Sequence, residues 1–113
     1  MKSVHTKILG DIAVIKIKGS LMGGEETMEV RNEVQNLTSS GISKIILDFA
    51  RVPYLNSHGL GMLMASYSTI QNVNGKFALT RIPKKVENVM TITKIINLFD
   101  VHDSIKLALR SFK

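Results

Sequence analysis

Cysteine and tryptophan are absent from the 113 residues, and proline occurs only as Pro53 and Pro83. Without cysteine there is no disulfide framework, no thiol nucleophile and no thiolate metal site, so a reducing compartment, the cytoplasm, is the expected setting. Aromatics are scarce as well, with two Tyr and four Phe, and none is interleaved with basic residues in the way that stacks nucleic-acid bases. No segment approaches the ~18 apolar residues of a membrane span. The start, Met1-Lys2-Ser3-Val4-His5-Thr6-Lys7, has no apolar stretch after its charges, so neither export nor membrane insertion is expected. Acidic residues are the scarcer charge, 9 against 15 Lys plus Arg, for a net charge of +6. That balance points to nucleic acid, an anionic surface or an acidic partner. The basic residues are nevertheless spread along the chain with no run longer than Lys84-Lys85. A generally solvated basic surface is the simpler reading, and direct nucleic-acid binding is not expected.

What the sequence does contain is a regular alternation of strand and helix patterns within a length that suits one domain, residues 1–113. Residues 12–18 place Ile15 and Ile17 on one side and Lys16 and Lys18 on the other, as in a half-buried strand. The turn signal Gly10-Asp11 makes residues 4–9 its hairpin partner. After the loop Ser20-Leu21-Met22-Gly23-Gly24, helical spacing of Val30, Val34 and Leu37 predicts a helix over about 25–39, ended by Gly41. The apolar run 44–49 reads as a central strand. Leu60, Leu63, Met64, Tyr67 and Ile70 form one apolar stripe on a helix reaching to about residue 73, and Gly59, Gly61, Ala65 and Ser66 would let it approach its neighbours. A strand over 76–81, a third helix opened by Pro83 and bearing Val86, Val89 and Met90, and a short edge strand near Phe99–Val101 follow. Asp103 or Ser104 then caps a last helix with the stripe Ile105, Ala108, Leu109 and Phe112. The predicted class is α/β, a mixed and mainly parallel sheet of four to five strands packed against about four helices.

The chemistry concentrates in Leu55-Asn56-Ser57-His58-Gly59-Leu60-Gly61, between the central strand and the second helix. Either Asn56 or Ser57 suits the cap of that helix. A hydroxyl in a first helical turn lies beside unpaired N–H groups and the positive end of the dipole, a favourable place for an anion such as a phosphate. Capping alone accounts for these local residues, and capping by Asn56 with presentation of Ser57 is compatible with both readings.

The run Val52-Pro53-Tyr54-Leu55-Asn56-Ser57-His58-Gly59-Leu60-Gly61 resembles the signature of STAS domains, and in particular of anti-sigma factor antagonists. Gly19-Ser20-Leu21, the Asn74-Gly75-Lys76-Phe77 turn and Ile95-Ile96-Asn97-Leu98-Phe99-Asp100 agree with the same pattern, so the resemblance extends along essentially the whole chain. It implies a partner-switching binding module rather than an enzyme. Ser57 would be phosphorylated by an anti-sigma factor that is itself a serine kinase, and reset by a serine phosphatase. The chain would act without cofactor, as a monomer or weak dimer. The implied partner surface is Met22, Gly23, Gly24, Asn56, Ser57, His58, Gly59 and Leu60. Three positions depart from the family pattern. Asn56 stands in place of the usual Asp, His58 in place of a second hydroxyl, and Met22 in place of a loop Asp.

The sequence has no Gly-rich phosphate loop followed by Lys-Ser/Thr, and no His/carboxylate cluster at metal-ligand spacing. His58 stands far in sequence from His5 and His102, which favours an exposed interface ring over a metal ligand or phosphohistidine. Among the methionines, Met64 lies on the apolar stripe and is expected in the core, while Met22 is the better interface residue. Two other functions compete with the switch. One is an STAS adaptor subunit of a transporter or larger signalling assembly that is not phosphorylated. The other is a small enzyme, for which no nucleophile, base and orienting group can be paired.

Overall fold

The computed structural model describes residues 3–112. Its elements are β1 (Val4–Leu9), β2 (Ile12–Lys18), α1 (Glu25–Ser39), β3 (Lys44–Arg51), α2 (Ser57–Gln71), β4 (Lys76–Thr80), α3 (Lys84–Ile92), a 3-10 turn (Ile95–Leu98), β5 (Asp100–His102) and α4 (Ile105–Ser111). The order, class and sheet are those expected from the sequence, and α1 spans the predicted residues. The single five-stranded sheet runs β1-β2-β3-β4-β5. Only the β1/β2 hairpin is antiparallel, and the other three neighbouring pairs are parallel. Right-handed crossovers between sequential neighbours all return over the same side of a sheet. That rule places α1, α2 and α3 together on one face.

The two faces are unequal. Ala13, Ile15 and Ile17 of β2, Ile45, Leu47 and Phe49 of β3, and Phe77 and Leu79 of β4 point into the main core beneath α1, α2 and α3. Phe99 closes that core, its ring set edge-on to Tyr67 and Phe77 with centroids 5.6 and 5.7 Å away. The opposite face carries only α4, whose Ala108 and Phe112 cover Ile12, Val14, Ile46 and Ala78. With 7 residues, α4 is about 10 Å long. It covers the amino-terminal half of the parallel strands and leaves the carboxyl half open.

Local chemistry accounts for the element ends. The Ser104 hydroxyl accepts from Leu107 N–H at 3.1 Å, so Ser104 rather than Asp103 caps α4. Pro83 stands just before α3 at φ −62°, ψ 152°, one residue earlier than a first-turn proline. The edge strand is Asp100–His102, one residue later than expected. At the far end of the sheet Lys44 donates to Asp11 at 2.8 Å. That hydrogen bond holds the Asp11 carboxyl below its ordinary range. The contribution of the pair is therefore present above about pH 4 and lost as pH falls through the lowered value. Both groups are solvated, so added salt weakens the pair.

Candidate functional site

Two loops meet outside the carboxyl ends of β2 and β3. Leu21, in the loop after β2, forms an isolated parallel bridge with Leu55, in the loop after β3. Leu21 N–H donates to the Tyr54 carbonyl at 3.0 Å, and Asn56 N–H donates to the Leu21 carbonyl at 3.3 Å. Leu21 and Leu55 are both buried. This short extra ladder fixes where α2 begins.

Asn56 is the cap of α2. Its Oδ1 accepts from His58 N–H at 3.0 Å and from Gly59 N–H at 3.1 Å, and its Nδ2 donates to the Met22 carbonyl at 3.1 Å. One side chain thus satisfies two first-turn amides and ties the β2 loop to the helix. Ser57 is therefore not used as the cap. It is the first helical residue and is exposed. Loss of the cap costs ~1–2 kcal/mol in stability, so Asn56→Ala is expected to lower the urea midpoint accordingly. Asn56→Asp keeps the acceptor, but it loses the donor to Met22. Urea unfolding is expected to show a smaller loss for Asn56→Asp than for Asn56→Ala.

The glycines explain the closeness of the two loops. A Cβ on Gly23, at φ +94°, would stand 2.8 Å from His58 Cβ. The backbone of the β2 loop therefore lies directly against the His58 side chain. Gly23 N–H also donates to Thr27 Oγ1 at 2.9 Å, which ties the loop to the first turn of α1. A Cβ on Gly59 would stand 2.2 Å from the Leu21 carbonyl oxygen.

The eight expected surface residues are thus brought together, but they divide. Met22, Gly23, Gly24, Ser57 and His58 are exposed, and Asn56 is half-buried between them. Gly59 and Leu60, expected on the contact surface, are instead buried because α2 enters the core with its first turn. They position the site and do not present it. Met22, 49% exposed, and Tyr54, 52% exposed, add apolar area on either side of Ser57. Met62 is buried beside Ser66, while Met64, expected in the core, is half-buried against it. Of the small residues on α2, Gly59 and Ser66 do allow close approach, whereas Gly61 is exposed and meets nothing within 4 Å.

One neighbouring arrangement was not anticipated. Asp48, in the carboxyl half of β3, is 3% exposed on the face opposite α2. Arg81 donates to it twice, Nε to Oδ1 at 2.9 Å and Nη2 to Oδ2. Ala50 N–H also donates to Asp48 Oδ1, at 3.3 Å. Arg81 takes φ +53° to reach this position, and Asp48 holds the guanidinium above its ordinary pKa. Fork geometry and charge make such a pair strong.

Among the described residues no three His, Cys, Asp or Glu side chains are grouped to hold a metal ion. Among the same residues no helix is long and apolar enough to cross a membrane.

Comparison with known proteins places this architecture. A Thermotoga neapolitana protein named as an anti-sigma factor antagonist is 31% identical over 71 residues, a match spanning 63% of either chain. The crystal structure of a Thermotoga maritima protein, also described as an anti-sigma factor antagonist, superposes with TM-score 0.88 at 24% identity, over 96% of this chain and 93% of that one. The Bacillus cell fate determinant SpoIIAA, solved in its phosphorylated form, superposes with TM-score 0.75 at 15% identity, over 97% and 99% of the two chains. The sequence model of the STAS domain matches residues 3–108, and the chain belongs to the STAS domain family.

Proposed function

We propose that this chain is an anti-sigma factor antagonist that works as a phosphorylation-controlled partner switch. Unphosphorylated, it binds an anti-sigma factor that is also a serine kinase, through the surface formed by Met22, Gly23, Gly24, Asn56, Ser57 and His58. Phosphorylation of Ser57 releases that partner, and a serine phosphatase restores the binding form. The carrying observation is the division of labour at the start of α2, where Asn56 supplies the cap and leaves the Ser57 hydroxyl exposed for transfer. A relative of the same fold solved in a phosphorylated form supports the reading. So do the names given to similar chains.

The physical logic requires no large rearrangement. A phosphoryl group adds −1.5 to −2 charge, as is general near neutral pH, and the positive end of α2 favours it. An interface packed over Ser57 would have to bury that charge without a partner group, which is strongly unfavourable. The chain is then a substrate and a ligand, and the catalytic groups belong to its partners. With Asn56 in place of the family's Asp, no carboxylate stands beside the modified hydroxyl to repel the phosphate.

Mass spectrometry of the protein from its native cell tests this reading. The expected result is a gain of about 80 Da, one phosphate group, on the peptide containing Ser57. A chain that is unmodified at Ser57 in every growth state, while still bound to its partner, would instead favour the constitutive adaptor.

A further inference from the structure

The half of the second sheet face that α4 leaves open is strongly cationic. Lys16 and Lys18 of β2, Arg51 of β3 and Arg81 after β4 line one open cleft of about 320 Å³ together with His5 and Asp48. The four cations are exposed, and Asp48 is both buried and already engaged by Arg81. Among the described residues no carboxylate lies within ion-pair distance of Lys16, Lys18 or Arg51. Lys18 and Arg51, which are register partners across a bulge, also line the adjoining groove with Pro53 and Pro83. Glu25, Glu26, Glu29 and Glu33 all belong to α1; Glu26 reaches Gly19 at the rim of the adjoining groove, and none of the four pairs with Lys16, Lys18 or Arg51. The net charge of +6 is therefore not evenly spread. The fold collects cations toward the carboxyl ends of β2, β3 and β4.

The shape of the array narrows its occupant. Its cations reach from β2 to the end of β4, about 10 Å at the usual strand spacing, more than one small anion covers. No Phe, Tyr or Trp lines the cleft for a nucleic-acid base to stack on. Lys16 and Lys18 stand two residues apart on one strand face, about 7 Å. That is also the spacing of alternate side chains in an extended peptide.

We propose that this open face docks an acidic, extended segment of a partner protein, with Asp or Glu at alternate positions. Lys16, Lys18 and Arg51 are its principal charge partners. The cleft lies on the sheet face opposite α2, and its docking does not require phosphorylation of Ser57.

Fluorescence anisotropy with a labelled dodecapeptide alternating Glu and Thr tests the proposal. Two triple variants of equal charge change are compared, Lys16→Glu/Lys18→Glu/Arg51→Glu on the face and Lys84→Glu/Lys94→Glu/Lys106→Glu elsewhere. The expected result is salt-dependent binding that the face triple weakens at least about tenfold and the control triple less than about threefold. The milder Lys16→Gln/Lys18→Gln/Arg51→Gln variant, with an unchanged thermal midpoint, is expected to weaken binding in the same direction. Ser57→Asp is expected to leave peptide affinity unchanged. The proposal is overturned by absence of peptide binding at low salt, by equal losses in the two Glu triples, or by tighter binding of a DNA dodecamer duplex than of the peptide. Concentration-dependent self-association that only the face triple abolishes would assign the surface to a second copy and overturn it as well.

Discussion

Ser57→Asp is expected to weaken binding of the anti-sigma partner at least about 100-fold while leaving the chain as stable as the wild type. A hundredfold loss corresponds to about 2.7 kcal/mol, which is modest for a charge placed unpaired in an interface. Stability moves little because the substitution lies at the first residue of α2, on an exposed position. A carboxylate there interacts favourably with the helix dipole by ~0.3–1 kcal/mol. Asn56 already satisfies the His58 and Gly59 amides, so the new carboxylate is not needed as a cap and does not rearrange one. Ser57→Ala removes the acceptor without adding charge and is expected to bind about as well as wild type and to be refractory to release by the kinase. Calorimetric titration of the three proteins against the partner, alongside urea unfolding of each, separates a surface effect from a folding one. Equal affinity in all three would remove the switch and leave the adaptor reading.

Much of the architecture was legible because each element carries its own pattern. The boundaries of α1 follow from Val30 and Val34, both of which are buried in the core. In β2 the alternation of Ile15 and Ile17 with Lys16 and Lys18 shows the buried face, the unbroken apolar run of β3 matches its burial on both faces, and the turn signals stand where the turns are. What could not be read is what the sheet order assembles. Lys16 and Lys18 are recognisable as the solvent side of a strand, yet nothing local says that Arg51 and Arg81 will join them. Asp48 reads as one residue in an apolar strand. Its partner Arg81 is 33 positions away, and the positive φ that delivers it depends on the β4 end.

The same limit explains the misplaced part of the candidate site. Met22 and His58 flank the carboxyl ends of adjacent parallel strands, and Asn56 and Gly23 join their loops. The motif places Gly59 and Leu60 on the surface, although Leu60 also begins the apolar stripe of α2 and both are buried. Periodicity was the better guide at that position. A motif marks where chemistry happens without saying which of its members face outward.

Gly59 belongs to that motif for packing, and Gly59→Ala is expected to destabilise the chain by at least ~2 kcal/mol, within the usual range for overpacking a filled site. A Cβ there would stand 2.2 Å from the Leu21 carbonyl oxygen, 2.6 Å from Leu55 Cδ1 and 3.0 Å from Leu21 Cβ. The nearest of these atoms is backbone, held in place because Leu21 O accepts from Asn56 N–H, so no rotamer change relieves the clash. Alanine's better helix propensity returns about 1 kcal/mol and does not offset it. Gly61, two residues along the same helix, supplies the internal control. A Cβ at Gly61 meets nothing within 4 Å, so Gly61→Ala is expected to stabilise by ~0.5–1 kcal/mol through propensity alone. Opposite signs in urea unfolding of the two variants are the expected result, and a shared sign would refute the close approach of α2 to Leu21. The consequence also reaches the site. To admit the methyl group, α2 must withdraw from the Leu21–Leu55 bridge, and the Asn56 cap and Ser57 move with it. Gly59→Ala is therefore expected to weaken partner binding even under conditions where the chain is fully folded, whereas a purely global loss of stability would leave the affinity of the folded fraction unchanged.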